Sequence, residues 1–320
     1  MSEFPTRRRS GAAEWPVLRQ FIDAEARFGA WMARRRTTAA LYEFLRFGMK
    51  QAWACLFGGL MVFLLIATFL LYPKDVSLSR YDFLFLASVT LQIALLGFRL
   101  ETMEEAKVIA AYHVVGTVME IFKTSVGSWV YPEECFFRIA GVPLFSGFMY
   151  SCIGSYICRA WTLFHFEFKA HPPTAWLIAL SAAIYLNFFT HHYVADLRWL
   201  LFIAAGVLFA RTRVYFLNWH THRWMPLLLG LVLVTGFIWL AENVGTITKT
   251  WIYPNQRTGW SIVSLGKFGA WFLLLIISYT LVALIKKPSE RTARAAVPDD
   301  ALTQDDAPSP AVAEPGPARV

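Results

Sequence analysis

Charge is scarce in this chain: Asp, Glu, Lys and Arg together make up 16% of its 320 residues. So little charge against 57% hydrophobic residues excludes an ordinary soluble domain. Cysteine is nearly absent too. The four cysteines, Cys55, Cys135, Cys152 and Cys158, form no CxxC pair, which excludes a disulfide scaffold or a thiolate metal knuckle. There is no P-loop, no Gly-rich dinucleotide fingerprint and no Ser nucleophile elbow. Histidine is limited to seven residues, and its two clusters, His191-His192 and His220-Thr-His222, fall on opposite sides of the expected membrane. That is too few on one side for a membrane di-iron site. No cleavable leader is expected, because the segment 1–48 is basic and the first long apolar block begins late.

What is present is apolar sequence in blocks close to the length that crosses a bilayer, roughly 20 residues. Eight occur, at about 52–72, 82–99, 103–123, 141–164, 174–190, 196–212, 224–246 and 265–285. The pair 174–190 and 196–212 reads as two spans, with a re-entrant hairpin as the alternative. The expected fold is therefore all-α, a polytopic helical bundle of about eight transmembrane helices. Lys and Arg are denser on the side that holds both termini, which puts those termini on the cytoplasmic side of the membrane. The net charge of +8 belongs to this bias and not to nucleic-acid binding. Residues 1–48 form a basic segment whose stretch 15–36 carries Trp15, Leu18, Ile22, Phe28, Trp31 and Met32 at helical spacing, an interfacial anchor. Residues 288–320 are rich in Pro, Ala and Asp and read as a disordered tail.

One phrase occurs twice. Glu120-x8-Trp129-x-Tyr131-Pro132 returns as Glu242-x8-Trp251-x-Tyr253-Pro254, 122 residues on, and Thr124 also matches Thr246. The same offset carries the start of the first span onto the start of the fifth. The chain thus divides into halves of about 49–170 and 171–287, two parallel four-helix repeats. Small residues at Gly147, Ser151 and Ser155, and at Gly266 and Ala270, are spaced for close helix packing.

Each Glu ends an apolar stretch, where a carboxylate is costly and usually functional. Glu120 and Glu242 are the candidate catalytic pair. Lys123, one turn after Glu120, is expected to pair with it, while Glu242 has only Asn243 beside it. That asymmetry would hold the two carboxylates in different charge states, an acid and a base. Trp129, Tyr131, Trp251 and Tyr253 sit just outside the membrane, either as an aromatic belt or as a lid offering ring faces to an apolar or cationic ligand. With Lys123, Asn187 and Asn243 they are the expected substrate-binding set. His191, His192 and Asp196 are candidate ligands of a divalent metal, against a reading in which they cap helix ends. Otherwise no cofactor is expected. His220-Thr-His222 with Arg211, Arg213 and Arg223 reads as a basic cytoplasmic loop. The expected partner is membrane lipid or an apolar small molecule, and the sequence carries no signal of oligomeric state.

Several phrases carry a resemblance: Arg80-Tyr-Asp-Phe, Arg99-Leu-Glu-Thr, Gly127-Ser-Trp-Val-Tyr-Pro, Gly141-Val-Pro-Leu-Phe-Ser-Gly-Phe-Met-Tyr, Asn187-Phe-Phe-Thr-His-His, Asp196-Leu-Arg-Trp and Trp239-Leu-Ala-Glu-Asn-Val-Gly-Thr. From about Phe44 to Lys287 the chain resembles the YoaT-like family of bacterial integral membrane proteins (domain of unknown function 817), which brings no activity with it. Glu120, Gly127, Trp129, Tyr131, Gly141 and Pro143 also resemble the repeated motif of membrane lycopene cyclases and carotenoid hydratases. That likeness implies a cofactor-free enzyme whose acids protonate a polyene. The second copy departs from the motif, with Lys249 where the Gly falls and no Gly-x-Pro. The sequence thus points to acid–base chemistry on an isoprenoid or lipid, with a small-molecule transporter or ligand-binding membrane protein as the alternative.

Overall fold

The computed structural model describes residues 19–32, 36–73, 75–219 and 222–291. All eight apolar blocks fold as helices: α3 (Leu56–Leu71), α4 (Arg80–Gly97), α5 (Met103–Ser125), α6 (Phe145–Phe164), α7 (Thr174–Thr190), α8 (Arg198–Phe209), α9 (Leu227–Ile247) and α10 (Leu265–Lys286). Two more precede them, α1 (Arg19–Met32) and α2 (Arg36–Ala54), and α2 meets α3 at a 70° bend. By length and composition α4, α9 and α10 can each cross a membrane, and the α2–α3 pair makes four if counted as one broken span. At 1.5 Å per residue, the 12-residue α8 is about 18 Å long, well short of the ~30 Å apolar slab expected for a full span. Of the expected surface helix, α1 lies within the described residues, with Phe28 and Trp31 exposed and Met32 buried. Residues 15–18 and 33–35 lie outside them.

The fold is mostly helical but not all-α. Four short strands, β3 (Glu167–Lys169), β4 (Arg213–Leu217), β5 (His222–Pro226) and β6 (Ser289–Glu290), form one sheet in the order β5-β4-β3-β6. A two-residue hairpin, β1 (Arg138–Ile139) with β2 (Val142–Pro143), lies elsewhere. The sequence reading missed these strands because they are only two to five residues long. In β4 the aromatic and β-branched residues alternate between buried and open, as a half-buried strand requires. Residues 289–291, at the start of the expected disordered tail, are ordered: β6 pairs in parallel with β3 and Arg291 donates its backbone N–H to Phe168 O. Residues 292–320 lie outside the described set, as do His220 and Thr221 of the expected basic loop.

The helix ends gather at two faces. At the sheet face, Lys50 Nζ donates to the carbonyls of Leu163 (3.0 Å) and Leu217 (2.8 Å), and Lys286 reaches Thr162. At the opposite, loop face, Arg80 donates to Thr248 O and Tyr81 to Thr250 O, while Asp82 accepts from the backbone of Phe136 and Phe137. Successive helices alternate between these faces. Two arginines near these faces are buried. Arg159 is 1% exposed and pairs at 2.8 Å with the fully buried Glu101, and Arg80 is bound to Glu133.

Helices α5 and α6 make the tightest contact. A Cβ at Gly147 would stand 2.5 Å from Thr117 Oγ1, and Ser151 donates to Ile109 O at 2.8 Å, so these small residues do bring two helices together. The expectation for Gly266 and Ala270 fails: both face a cavity instead of a neighbouring helix. The main core lies between α5, α6, α7 and α10, around Tyr112, Ile157, Trp161, Leu180, Ile276 and Tyr279, and Tyr112 donates across it to Ser278 O at 2.7 Å.

Candidate functional site

The two copies of the repeated phrase fold alike and meet. After α5, Gly127 takes a left-handed φ of 71°; after α9, Lys249 takes φ 53° at the matching position. Gly127 N donates to Thr124 O (3.0 Å) and Lys249 N to Thr246 O (3.1 Å); Ser128 N donates to Lys123 O and Thr250 N to Gly245 O, both 2.9 Å. The turn that Gly adopts freely is thus also built with Lys, at a steric cost of about 1 kcal/mol. Further on, Val130 and Ile252 exchange backbone hydrogen bonds of 3.0 and 2.9 Å. The two aromatic loops are therefore joined at equivalent residues. Across the molecule, Glu167 and Phe168 pair with Ser289 and Glu290, again at an offset of 122.

These turns fold the aromatic side chains back onto the carboxyl groups. Glu120, 5% exposed, accepts from Trp129 Nε1 (2.7 Å) and Tyr131 Oη (2.7 Å) at one oxygen and from Tyr150 Oη (2.8 Å) at the other. Glu242, equally buried, accepts from Tyr253 Oη and from Trp271 Nε1 (2.7 Å). Each carboxyl is thus held by its own loop's Tyr and by an aromatic donor from the next helix, α6 or α10. Trp129 and Tyr253 meet edge to face at 5.9 Å, which ties one half-site to the other. The rings are core and not an interfacial belt: Trp129, Trp251 and Tyr253 are all buried. Trp251 needs a bare backbone beneath it, because a Cβ at Gly245 would lie 2.0 Å from its ring. Gly245 therefore seats an aromatic ring and does not break α9.

Several expectations are corrected. Lys123 does not pair with Glu120. Its Nζ turns to Phe188 O (3.1 Å) and to the imidazole nitrogens of His192 (2.8 Å) and His191 (3.4 Å), with the Phe188 ring 4.1 Å away. The asymmetry drawn from Lys123 and Asn243 is consequently missing, and the two carboxyls have closely similar neutral donors. Asn243 bonds Trp239 O and Val263 N, anchoring the loop before α10, and does not line the cavity. His191, His192 and Asp196 do not converge as metal ligands. An ammonium stands against both imidazoles, Asp196 is bound by Arg198, and no group of three His, Cys, Asp or Glu suited to a metal occurs among the described residues. Arg198 holds the Asp196 carboxyl down to about 2, while burial, reinforced by Lys123, keeps both histidines below their ordinary pKa. Asn187 braces this turn by accepting from Leu197 N (3.0 Å). His113, two turns before Glu120 on α5, packs against the Phe148 ring.

Sequence reasoning also missed three residues. Tyr150 and Trp271 supply donors to the carboxyls, and Lys267 Nζ lies over the rings of both Trp129 (4.4 Å) and Tyr253 (4.2 Å). The ring faces expected for a cationic ligand are thus occupied by the protein's own cation. The available signal was Lys267 with Trp271 one turn on, the one charge in the first turns of an otherwise apolar helix.

Both carboxyls line one cavity of about 1300 Å³. Its walls are overwhelmingly apolar. It begins at Trp129, Tyr131 and Lys267, passes Tyr150, Trp271 and Tyr156, and reaches Phe44 and Phe47 near the sheet face. Exposed residues of α2, α3 and α9 edge it on one side, among them Phe44, Gly59, Leu233 and Phe237. The opening is therefore lateral, between apolar helices.

Residues 43–279 match a family model described as "Protein of unknown function (DUF817)". The chain is 42% identical over 265 residues to the uncharacterized protein YoaT of Bacillus subtilis (strain 168), covering 82% of this chain and 99% of that one. No solved structure matches it. The family match runs through both carboxyl-bearing loops and the helices that bind them, and the chain belongs to the DUF817 family.

Proposed function

We propose that this protein is an integral membrane enzyme that carries out cofactor-free acid–base chemistry on a lipid or isoprenoid held in the long cavity. One observation carries the reading: two buried carboxyls, contributed by equivalent loops, share the wall of an apolar cavity that opens sideways between helices. A lipid-soluble substrate reaches such a site from the bilayer without crossing water. One carboxyl of the pair Glu120 and Glu242 is the proton donor and the other is the carboxylate that steadies developing positive charge. Loading a proton on Glu120 asks only that the Tyr150 hydroxyl turn from donor to acceptor. The proton given to the substrate returns from the product, so no cofactor is consumed. The aromatic loops close the end of the pocket and exclude water.

In this reading α3 to α10 are eight spans in two parallel four-helix halves, the shorter α7 and α8 lying where the bilayer is thinned or the helices are buried in protein. The sheet face, with Lys50, Lys169, Arg213 and Lys286, is cytoplasmic and holds both termini; the carboxyls lie toward the opposite side of a bacterial inner membrane. The matching turns at Gly127 and Lys249 and the paired Val130 and Ile252 support a duplication. A second reading, a small-molecule transporter or binding protein, is favoured by the bend at Cys55, which lines the cavity, since broken helices serve alternating access.

The test is lipid and isoprenoid profiling of a deletion strain complemented with wild type, Glu120→Gln or Glu242→Gln. The enzyme reading expects wild type alone to restore the profile. Identical profiles in all strains would refute it, and would turn attention to uptake assays and the second reading.

A further inference from the structure

Beside the carboxyls, the same end of the cavity carries cations that the acid–base reading does not use. Lys123, Lys267 and Arg198 all line it. Neither lysine has a carboxylate within salt-bridge distance among the described residues: Asp196 acts on Lys123, and Glu120 and Glu242 act on Lys267, only from farther off, while the three cations stand close enough to repel one another. Glu120 and Glu242 accept from Trp and Tyr instead, and Asp196 is taken by Arg198. An ammonium has three donors. Lys267 gives none of them to a protein acceptor among the described residues and rests on two aromatic faces. Lys123 is held by a carbonyl and imidazoles, all neutral acceptors at pH 7. Gathering like charges in apolar surroundings is costly unless an anion joins them. The rest of the cavity is apolar, and it is larger than most small-molecule pockets.

Resting on the reading above, we infer that the ligand is an amphiphile with an anionic head: a phosphate or carboxylate accepts from Lys267 and Lys123, and an apolar chain runs along the cavity toward Phe47. The head lies beside the carboxyl pair, which brings the first carbons of the chain to Glu120 and Glu242. The lysines are positioning groups and do not transfer the proton.

Farnesyl phosphate, farnesol and inorganic phosphate are the probes, with binding to the full-length protein in nonionic detergent measured by calorimetry. Farnesyl phosphate is expected to bind at least about tenfold more tightly than farnesol or inorganic phosphate, a difference of about 1.4 kcal/mol. Lys267→Met and Lys123→Met each lower farnesyl phosphate affinity about tenfold and leave farnesol unchanged; Lys169→Met, at the sheet face, changes neither. Equal binding of farnesol and farnesyl phosphate overturns the inference. So does inorganic phosphate binding as tightly as farnesyl phosphate, which would mark a free-anion site. An equal loss for both farnesyl ligands in the lysine variants would leave the lysines a packing role and also overturn it. If Lys267→Met does not fold, Lys267→Arg, which keeps the charge, must retain the phosphate preference. Glu120→Gln and Glu242→Gln are expected to keep that preference. If those two variants restore the lipid profile in cells, the acid–base reading falls while the head-group inference stands.

Discussion

Replacing Glu120 tests whether its carboxyl organises the aromatic loop. Three donors converge on it, Trp129 Nε1, Tyr131 Oη and Tyr150 Oη, and the group is 5% exposed. In Glu120→Leu all three lose their acceptor in a dry site. At about 1–3 kcal/mol for each orphaned donor, the loss is about 2–6 kcal/mol even if one hydroxyl finds another partner. In Glu120→Gln the amide oxygen keeps Trp129 and Tyr131, and the Tyr150 hydroxyl can turn to accept from the new NH₂. What is lost is charge assistance, about 1–2 kcal/mol. The Gln variant should therefore fold and still bind ligand, which makes it a clean chemical probe. The assay is equilibrium unfolding in mixed micelles, followed by tryptophan fluorescence, with Tyr150→Phe in both backgrounds as a double-mutant cycle. Two results would refute the reasoning: Leu no more destabilising than Gln, or additive effects of Glu120→Leu and Tyr150→Phe. Either would mean that the carboxyl does not hold the donors in place.

Other predictions concern the surroundings. Glu101→Gln, which strands the buried Arg159 guanidinium, should cost about 3–5 kcal/mol, whereas the double variant Glu101→Leu/Arg159→Met should recover most of it in the same unfolding assay. Gly245→Ala should cost about 1–3 kcal/mol by pushing a Cβ into the Trp251 ring, and Trp251→Phe should cost less in that background than alone. Gly127→Ala should cost about 1 kcal/mol and Lys249→Ala almost nothing, because only Gly127 escapes the left-handed penalty at present. His191 and His192 have pKa values below their unfolded ones, so both states are neutral above about pH 6.5. On acidification the unfolded chain takes protons first, and stability falls through that window; Lys123→Met should weaken the fall, read from unfolding midpoints between pH 7 and pH 5. The Asp196 carboxyl, depressed to about 2, contributes stability that is present above about pH 4 and lost as pH drops toward 2, and Arg198→Ala should abolish that step.

The eight helices were legible because long apolar runs leave the backbone no better way to satisfy its hydrogen bonds than within the segment. The repeated phrase was legible as spelling, and with it Glu120, Glu242 and the four loop aromatics. The strands were not, since two to five residues carry no periodicity that can be told from a loop.

Which groups touch was decided by tertiary structure alone. Sequence neighbours suggested Lys123 as the partner of Glu120, yet the helix turn that brings Lys123 within reach also lets its long flexible stem swing toward α7. The carboxyl was then claimed by rings arriving from a folded-back loop and from α6, elements 9 to 30 residues away. The histidines and Asp196 looked like ligands in one dimension; in three, Lys123 and Arg198 reach them first. Lys267, far along the chain from Glu120, meets Trp129 as well as Tyr253 because the Val130–Ile252 pairing draws the two loops together. The sequence by itself determined the helices and the residue types that can carry charge among them. Their pairing was set by the packing that decides which donor reaches each buried acceptor.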